Sequence, residues 1–88
     1  MAMAAAAEVT DLTVAEIARA ARKVLGPGAS IDAHSDIVRD LHIDSLALMN
    51  IVMELEDTFD VSIPLDRLGA VRTVGDLAAL IRQLKAQG

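Results

Sequence analysis

The sequence predicts an all-α fold, a small bundle of three main helices with a short fourth, and three observations carry that reading. Apolar residues recur at helical spacing in three separate stretches. No stretch alternates apolar and polar residues as a half-buried strand would. Gly26-Pro27-Gly28 and Pro64 punctuate the stretches where helices must stop. At 88 residues the chain is one domain, and a domain of this size buries roughly 60–65% of its unfolded surface around a thin core. Phe59 is the sole aromatic residue, so that core is aliphatic.

Residues 1–8 are mostly alanine and are expected to be disordered, with residues 9–88 forming the domain. Thr13-Val14-Ala15-Glu16 has the form of a capping box and is expected to open the first helix. Val14, Ile17, Ala18, Ala21, Val24 and Leu25 then share one face. Residues 29–43 read as a long loop pinned by Ile31, Ile37, Val38 and Leu41. A second helix starts at Asp44 or Ser45 and runs to Phe59. A connector containing Pro64 follows, then one short turn over 66–70. Thr73-Val74-Gly75-Asp76 repeats the capping pattern and opens the last helix, whose stripe is Val74, Leu77, Ile81 and Leu84.

Composition excludes several functions. Cysteine is absent and His34 and His42 are the only histidines, so neither a disulfide framework nor a zinc site is supported. The opening MAMAAAAEV lacks the basic flank and long apolar stretch of a secretory signal. No apolar run reaches the roughly 18 residues of a membrane span. The expectation is a cytoplasmic monomer without stable membrane insertion. The net charge of −5 is unevenly spread: residues 32–66 carry nine acids against Arg39, a net −8, while residues 67–88 carry a net +3. That acidic middle argues against nucleic acid and for basic protein partners, although a solvated face that aids solubility reads equally well from charge alone.

The second helix has two apolar faces. At about 100° per residue from Ser45, Leu48, Ile51, Val52, Leu55 and Phe59 cluster between about 240° and 340° as a core stripe. Leu46, Met49 and Met53 cluster separately between about 40° and 100°. Either they pack under the 29–43 loop, or they form an exposed ridge beside Ser45, where methionine's flexible thioether suits several partners.

Asp44-Ser45 alone is unremarkable, since both residues are favoured helix caps. The wider context is specific: Asp40-Leu41-His42-Ile43-Asp44-Ser45-Leu46 opens the helix, and Leu55-Glu56-Asp57-Thr58-Phe59-Asp60-Val61-Ser62-Ile63-Pro64 closes it. Here the chain resembles the acyl carrier family, whose signature is D-L-G-x-D-S-L followed by an L-E-x-x-F-x-x-x-I-P stretch. Thr73-Val74-Gly75-Asp76-Leu77 is similar to the family's entry into its last helix. The resemblance covers residues 10–86.

It implies a bundle of the acyl-carrier type that is not an enzyme but a carrier handled by enzymes. Ser45 would attach a 4'-phosphopantetheine arm taken from coenzyme A, with Asp44 and Leu46 as recognition neighbours. Leu46, Met49, Met53, Glu54, Glu56 and Asp57 would be the partner face. Ile51, Leu55, Ile63, Leu68 and Val71 would line an acyl pocket. The partners implied are a phosphopantetheinyl transferase and acyl-transferring, synthase or ligase enzymes of fatty acid, lipid or polyketide biosynthesis with basic docking patches. Without cysteine the chain cannot form a thioester itself, so a prosthetic thiol is required.

His42 stands where the family usually has glycine and reads as a solvated loop residue. Ala47 and Asn50, with Leu65, Arg67 and Gly69 of the short helix, occupy positions often acidic in the general fatty acid carrier. These departures leave a pathway-dedicated carrier open. Two rival functions also remain: a stand-alone aminoacyl or peptidyl carrier, and a helical interaction module with no prosthetic group. An EF-hand is excluded, because Asp36, Asp40 and Asp44 repeat every four residues rather than every two. A hydrolase lacks the G-x-S-x-G turn and a triad, so no residue is assigned as catalytic.

Overall fold

A computed structural model of the chain describes the backbone of residues 2–87 and the side chains of residues 12–87. Four helices follow one another: α1 (Ala2–Leu25), α2 (Ser45–Phe59), α3 (Leu65–Leu68) and α4 (Val74–Gln87). Among the described residues there is no strand, only an isolated antiparallel bridge between Asp36 and Thr73. None of the described helices is long and apolar enough to cross a membrane.

Helix α1 corrects the expected starting point. It is helical from Ala2, so Thr13 lies inside it and is buried rather than capping its first turn. Alanine costs least of all residues in a helix, and the run preceding Thr13 contains no glycine or proline to stop it. Glu16, the other half of the expected box, instead pairs with Arg19 one turn on. The expectation of disorder for residues 1–8 falls outside the described side chains; their backbone from Ala2 is part of α1. Ile17, Ala18, Ala20 and Ala21 turn into the core, where α1 packs on both α2 and α4. Gly26, at φ 111°, ends the helix in the left-handed region, its N–H donating to Arg22 O at 2.8 Å.

The loop that follows is shaped by two carboxylates. Asp32 Oδ1 accepts from His34 N–H at 2.8 Å, and the Asp32 N–H donates to buried Ser35 Oγ at 3.0 Å. Asp36 Oδ1 accepts from the N–H groups of Val38 and Arg39 and curls residues 36–41 into a turn. That turn points Ile37 and Leu41 inward, four residues apart, and leaves Val38 69% exposed. Val38 is therefore not one of the loop's pins, contrary to the sequence expectation. Ile43 replaces it, buried in the core.

The loop is fastened to the start of α4. Ile37 N–H donates to Arg72 O at 2.9 Å, Val74 N–H to Ser35 O at 3.0 Å, and Gly75 N–H to Ala33 O at 2.8 Å. The last approach leaves no room for a side chain, because a Cβ on Gly75 would sit 2.9 Å from Ala33 O. Helix α4 opens with the capping box read from sequence: Asp76 N–H donates to Thr73 Oγ1, and Asp76 Oδ2 accepts from the N–H groups of Thr73 and Arg72, each at 3.1 Å. Val74, Leu77, Ala78, Leu80 and Ile81 carry its buried stripe.

Gly75→Ala should cost about 1–3 kcal/mol in denaturant unfolding, because overpacking against a backbone oxygen outweighs alanine's better helix propensity. An unchanged midpoint would show that the loop yields at Ala33. The two backbone donors, Thr73 first and then Arg72, hold the Asp76 carboxyl below its ordinary value. Its contribution to stability is complete above about pH 4 and is lost as pH falls through the lower folded value. The stability gap between the native chain and Asp76→Asn should therefore narrow on acidification below about pH 4 and stay constant above about pH 5.

Candidate functional site

Asp44, with φ −83° and ψ 177°, is the N-cap of α2, and its Oδ1 accepts from Ala47 N–H at 2.8 Å. Of the two starting residues the sequence allows, Asp44 is the cap and Ser45 the first helical residue. The Ser45 side chain is exposed and makes no hydrogen bond among the described residues. It sits at the positive end of the helix, where free backbone N–H groups favour an anion, an advantage the Asp44 carboxylate partly offsets. His42 is exposed three residues upstream, so no base is held against the hydroxyl.

Two residues join α2 to the chain in the left-handed region, His42 at φ 53° and Asp60 at φ 54°. The sequence could flag His42 only through the glycine expected there. Asp60 ends the helix with its N–H on Glu56 O, and Val61 N–H shares that acceptor at 3.2 Å. Histidine tolerates this conformation better than branched residues but less well than glycine.

The two faces of α2 separate as the wheel suggests. Ile51, Val52 and Leu55 are buried, with Leu48 and Phe59 packed against them. Leu46, Met49 and Met53 are 73%, 40% and 61% exposed, so the loop does not cover them. The three expected acids differ in what they do. Glu54 pairs with Lys23 of α1 at 3.1 Å. Glu56 Oε2 accepts from Ile63 N–H at 2.9 Å and holds the connector against the helix. Asp57 is exposed and makes no side-chain hydrogen bond among the described residues. The Lys23–Glu54 pair joins positions 31 residues apart, whereas Glu56 and Ile63 are seven residues apart within the stretch that closes α2.

Of the residues expected to line an acyl pocket, Ile51, Leu55, Ile63 and Leu68 are buried in the closed core. Val71 is half-buried and faces open grooves beside Arg67, Ala70 and Arg72. The interior holds an apolar cavity of about 10 Å³ between α1, the loop, α2 and α4, lined by residues such as Ala21, Leu41, Leu48 and Ile51. Ile51 is the single expected pocket residue that lines it. A cavity of about 10 Å³ holds at most one water, so an acyl chain would have to part the helices to enter.

The structure thus presents an exposed serine at a helix start beside an apolar ridge, with no side chain hydrogen-bonded to it among the described residues. Comparison with known proteins places the chain in a family. The family described as phosphopantetheine attachment site matches residues 15–81. A protein of Caulobacter vibrioides named "Probable acyl carrier protein" is 62% identical over 79 residues, spanning 90% of this chain and 92% of that one. The "Acyl carrier protein" of Rhodococcus erythropolis is 35% identical over 83 residues, covering 93% and 91%. A solved structure from Mycobacterium tuberculosis, described as "a putative acyl carrier protein", superposes with a TM-score of 0.74 at 31% identity over 81% of this chain and 96% of that one.

The chain belongs to the acyl carrier proteins, the phosphopantetheine-attachment family of non-enzymatic carriers. Its cofactor is 4'-phosphopantetheine, which sets aside the interaction module without a prosthetic group.

His42→Gly should leave stability unchanged or raise it by up to about 1 kcal/mol, relief of the left-handed conformation being offset by glycine's unfolded-state entropy. His42→Val should lose more than about 1 kcal/mol at the same position. Equal unfolding midpoints for the two variants would show that the turn does not constrain residue 42.

Proposed function

We propose that Ser45 is the attachment residue and that the chain carries acyl intermediates as thioesters between enzymes of fatty acid, lipid or polyketide biosynthesis. The observation that carries this reading is the exposed Ser45 hydroxyl on the first residue of α2, within Asp40-Leu41-His42-Ile43-Asp44-Ser45-Leu46. Ser30 and Ser62 are exposed but lie outside any helix start, and Ser35 is buried and hydrogen-bonded. A phosphopantetheinyl transferase supplies the base that Ser45 lacks. The Ser45 oxygen attacks the pyrophosphate of coenzyme A, a phosphodiester forms, and the nucleotide leaves. The arm supplies the thiol that the chain itself does not contain.

Asp44 and Leu46 flank the serine within reach of a transferase seated over it. Leu46, Met49 and Met53 give that partner an apolar surface, and Asp57 gives it an acidic rim with Glu54 and Glu56 behind. Basic patches on synthases and ligases complement the net −8 of residues 32–66. The "Meromycolate extension acyl carrier protein" of Mycobacterium tuberculosis, 39% identical over 75 residues, covering 84% of this chain and 65% of that one, is a carrier dedicated by name to one pathway. Its likeness, with the neutral Ala47 and Asn50, supports a dedicated role here as well. The working place is the cytoplasm, and the working form a monomer.

Incubation with coenzyme A and a phosphopantetheinyl transferase should add one phosphopantetheine per chain by intact mass, located at Ser45 by peptide mapping. Because Asp44 and not Ser45 is the cap, Ser45→Ala should stay folded within about 0.5 kcal/mol of the native chain while accepting none. Modification of the alanine variant, or of Ser30 or Ser62, would overturn the assignment.

A further inference from the structure

Cysteine, tryptophan and tyrosine are absent, so methionine thioethers are the principal side chains a two-electron oxidant can attack. Met49 and Met53 are the two methionines among the described side chains, and both lie on the exposed side of α2. They are four residues apart, one helical turn, and share a face with Leu46. Neither belongs to the hydrophobic core, where sulfur chemistry would disturb packing. Among the described residues the oxidisable groups are thus gathered on the proposed docking surface and kept away from the interior that maintains the fold.

We propose that Met49 and Met53 form a reversible oxidation site that switches the carrier's docking face, an inference that rests on the partner surface given above. In the forward step the thioether sulfur attacks one oxygen of a peroxide. The O–O bond breaks, an S–O bond forms, and the displaced hydroxide or alkoxide takes a proton and leaves as water or alcohol. Sulfur loses two electrons and the peroxide gains them. In the reverse step a dithiol supplies two electrons, becomes a disulfide, and the oxygen departs as water. The sulfoxide is polar, so a ridge that docks by losing water must now desolvate an unpaired dipole. Exposure of both side chains means that the fold itself is not disturbed.

The test uses the full apo chain treated with hydrogen peroxide, with sulfoxides located by peptide mass so that Met1 and Met3 are scored separately. Oxygen should be taken up at Met49 and Met53. The kcat/KM for phosphopantetheinylation should then fall about two- to thirty-fold, the factor expected for burying one unpaired polar group. The thermal midpoint should not move, and methionine sulfoxide reductase with dithiothreitol should restore the rate. Whatever its own starting rate, the double variant Met49→Leu, Met53→Leu should keep that rate through peroxide treatment. Three results overturn the proposal: mapped sulfoxides at both positions with an undiminished rate, a double variant that loses as much as the native chain, or no uptake where free methionine is fully oxidised. Met53→Asp separates the failures. If aspartate slows the transferase and the sulfoxide does not, the oxidation switch alone fails; if neither slows it, the docking surface fails with it.

Discussion

Three backbone hydrogen bonds close a loop with no regular structure of its own: Ile37 to Arg72, Val74 to Ser35 and Gly75 to Ala33. A buried backbone group left without a partner costs about 1–3 kcal/mol, so these bonds fix the loop's path as firmly as its few apolar side chains do. Ile43, whose N–H donates to Ile37 O at 3.3 Å, enters the core from that path, and Asp44 and Ser45 follow immediately. The path that leads to the serine is thus tied down by residues some thirty positions later in the sequence, those that open α4. The box formed by Thr73 and Asp76 belongs to the same arrangement, since it sets the angle at which α4 leaves the loop.

Helix α2 sets a buried apolar stripe and an exposed apolar ridge on opposite sides. Its inner stripe is closed against α1 and α4, and its outer ridge is open. Glu54 and Glu56 stand on the border and serve the fold as well as the surface, one through Lys23 and the other through the Ile63 N–H. An exposed pair such as Lys23–Glu54 contributes about 0–1 kcal/mol, so Glu54 can leave Lys23 at little cost. Glu56 is less free, because leaving would strand the Ile63 amide within the connector.

Most of the fold was legible in the sequence because its signals are local. The periodicity of α2 and α4, the stop at Gly26 and the second capping box depend on residues within a few positions of one another. Thr13 misled for the same reason: Thr-Val-Ala-Glu has the form of a box, but alanine's propensity upstream kept the helix going. Val38 was misread because a turn made by the Asp36 carboxylate, not apolarity, decides which side chains face inward. Ser45 was singled out through the family resemblance, and the ridge through helical spacing. The tie between Glu54 and Lys23, and the closure of the interior around a small cavity, depend on contacts between elements and leave no mark in any one segment.

His42 and Asp60, one just before α2 and one just after it, share the left-handed conformation. Each turns the chain within a single residue, His42 three positions before the first helical residue and Asp60 directly after the last. One residue added or removed between Ser45 and Met53 would rotate the serine by about 100° relative to the ridge and shift it by about 1.5 Å along the axis. A partner matched to both features would then reach only one of them. Substitutions on the outer side of this segment change its chemistry and leave that alignment intact, whereas a change in its length breaks it. The dimension this carrier can least afford to vary is therefore the number of residues in one helix.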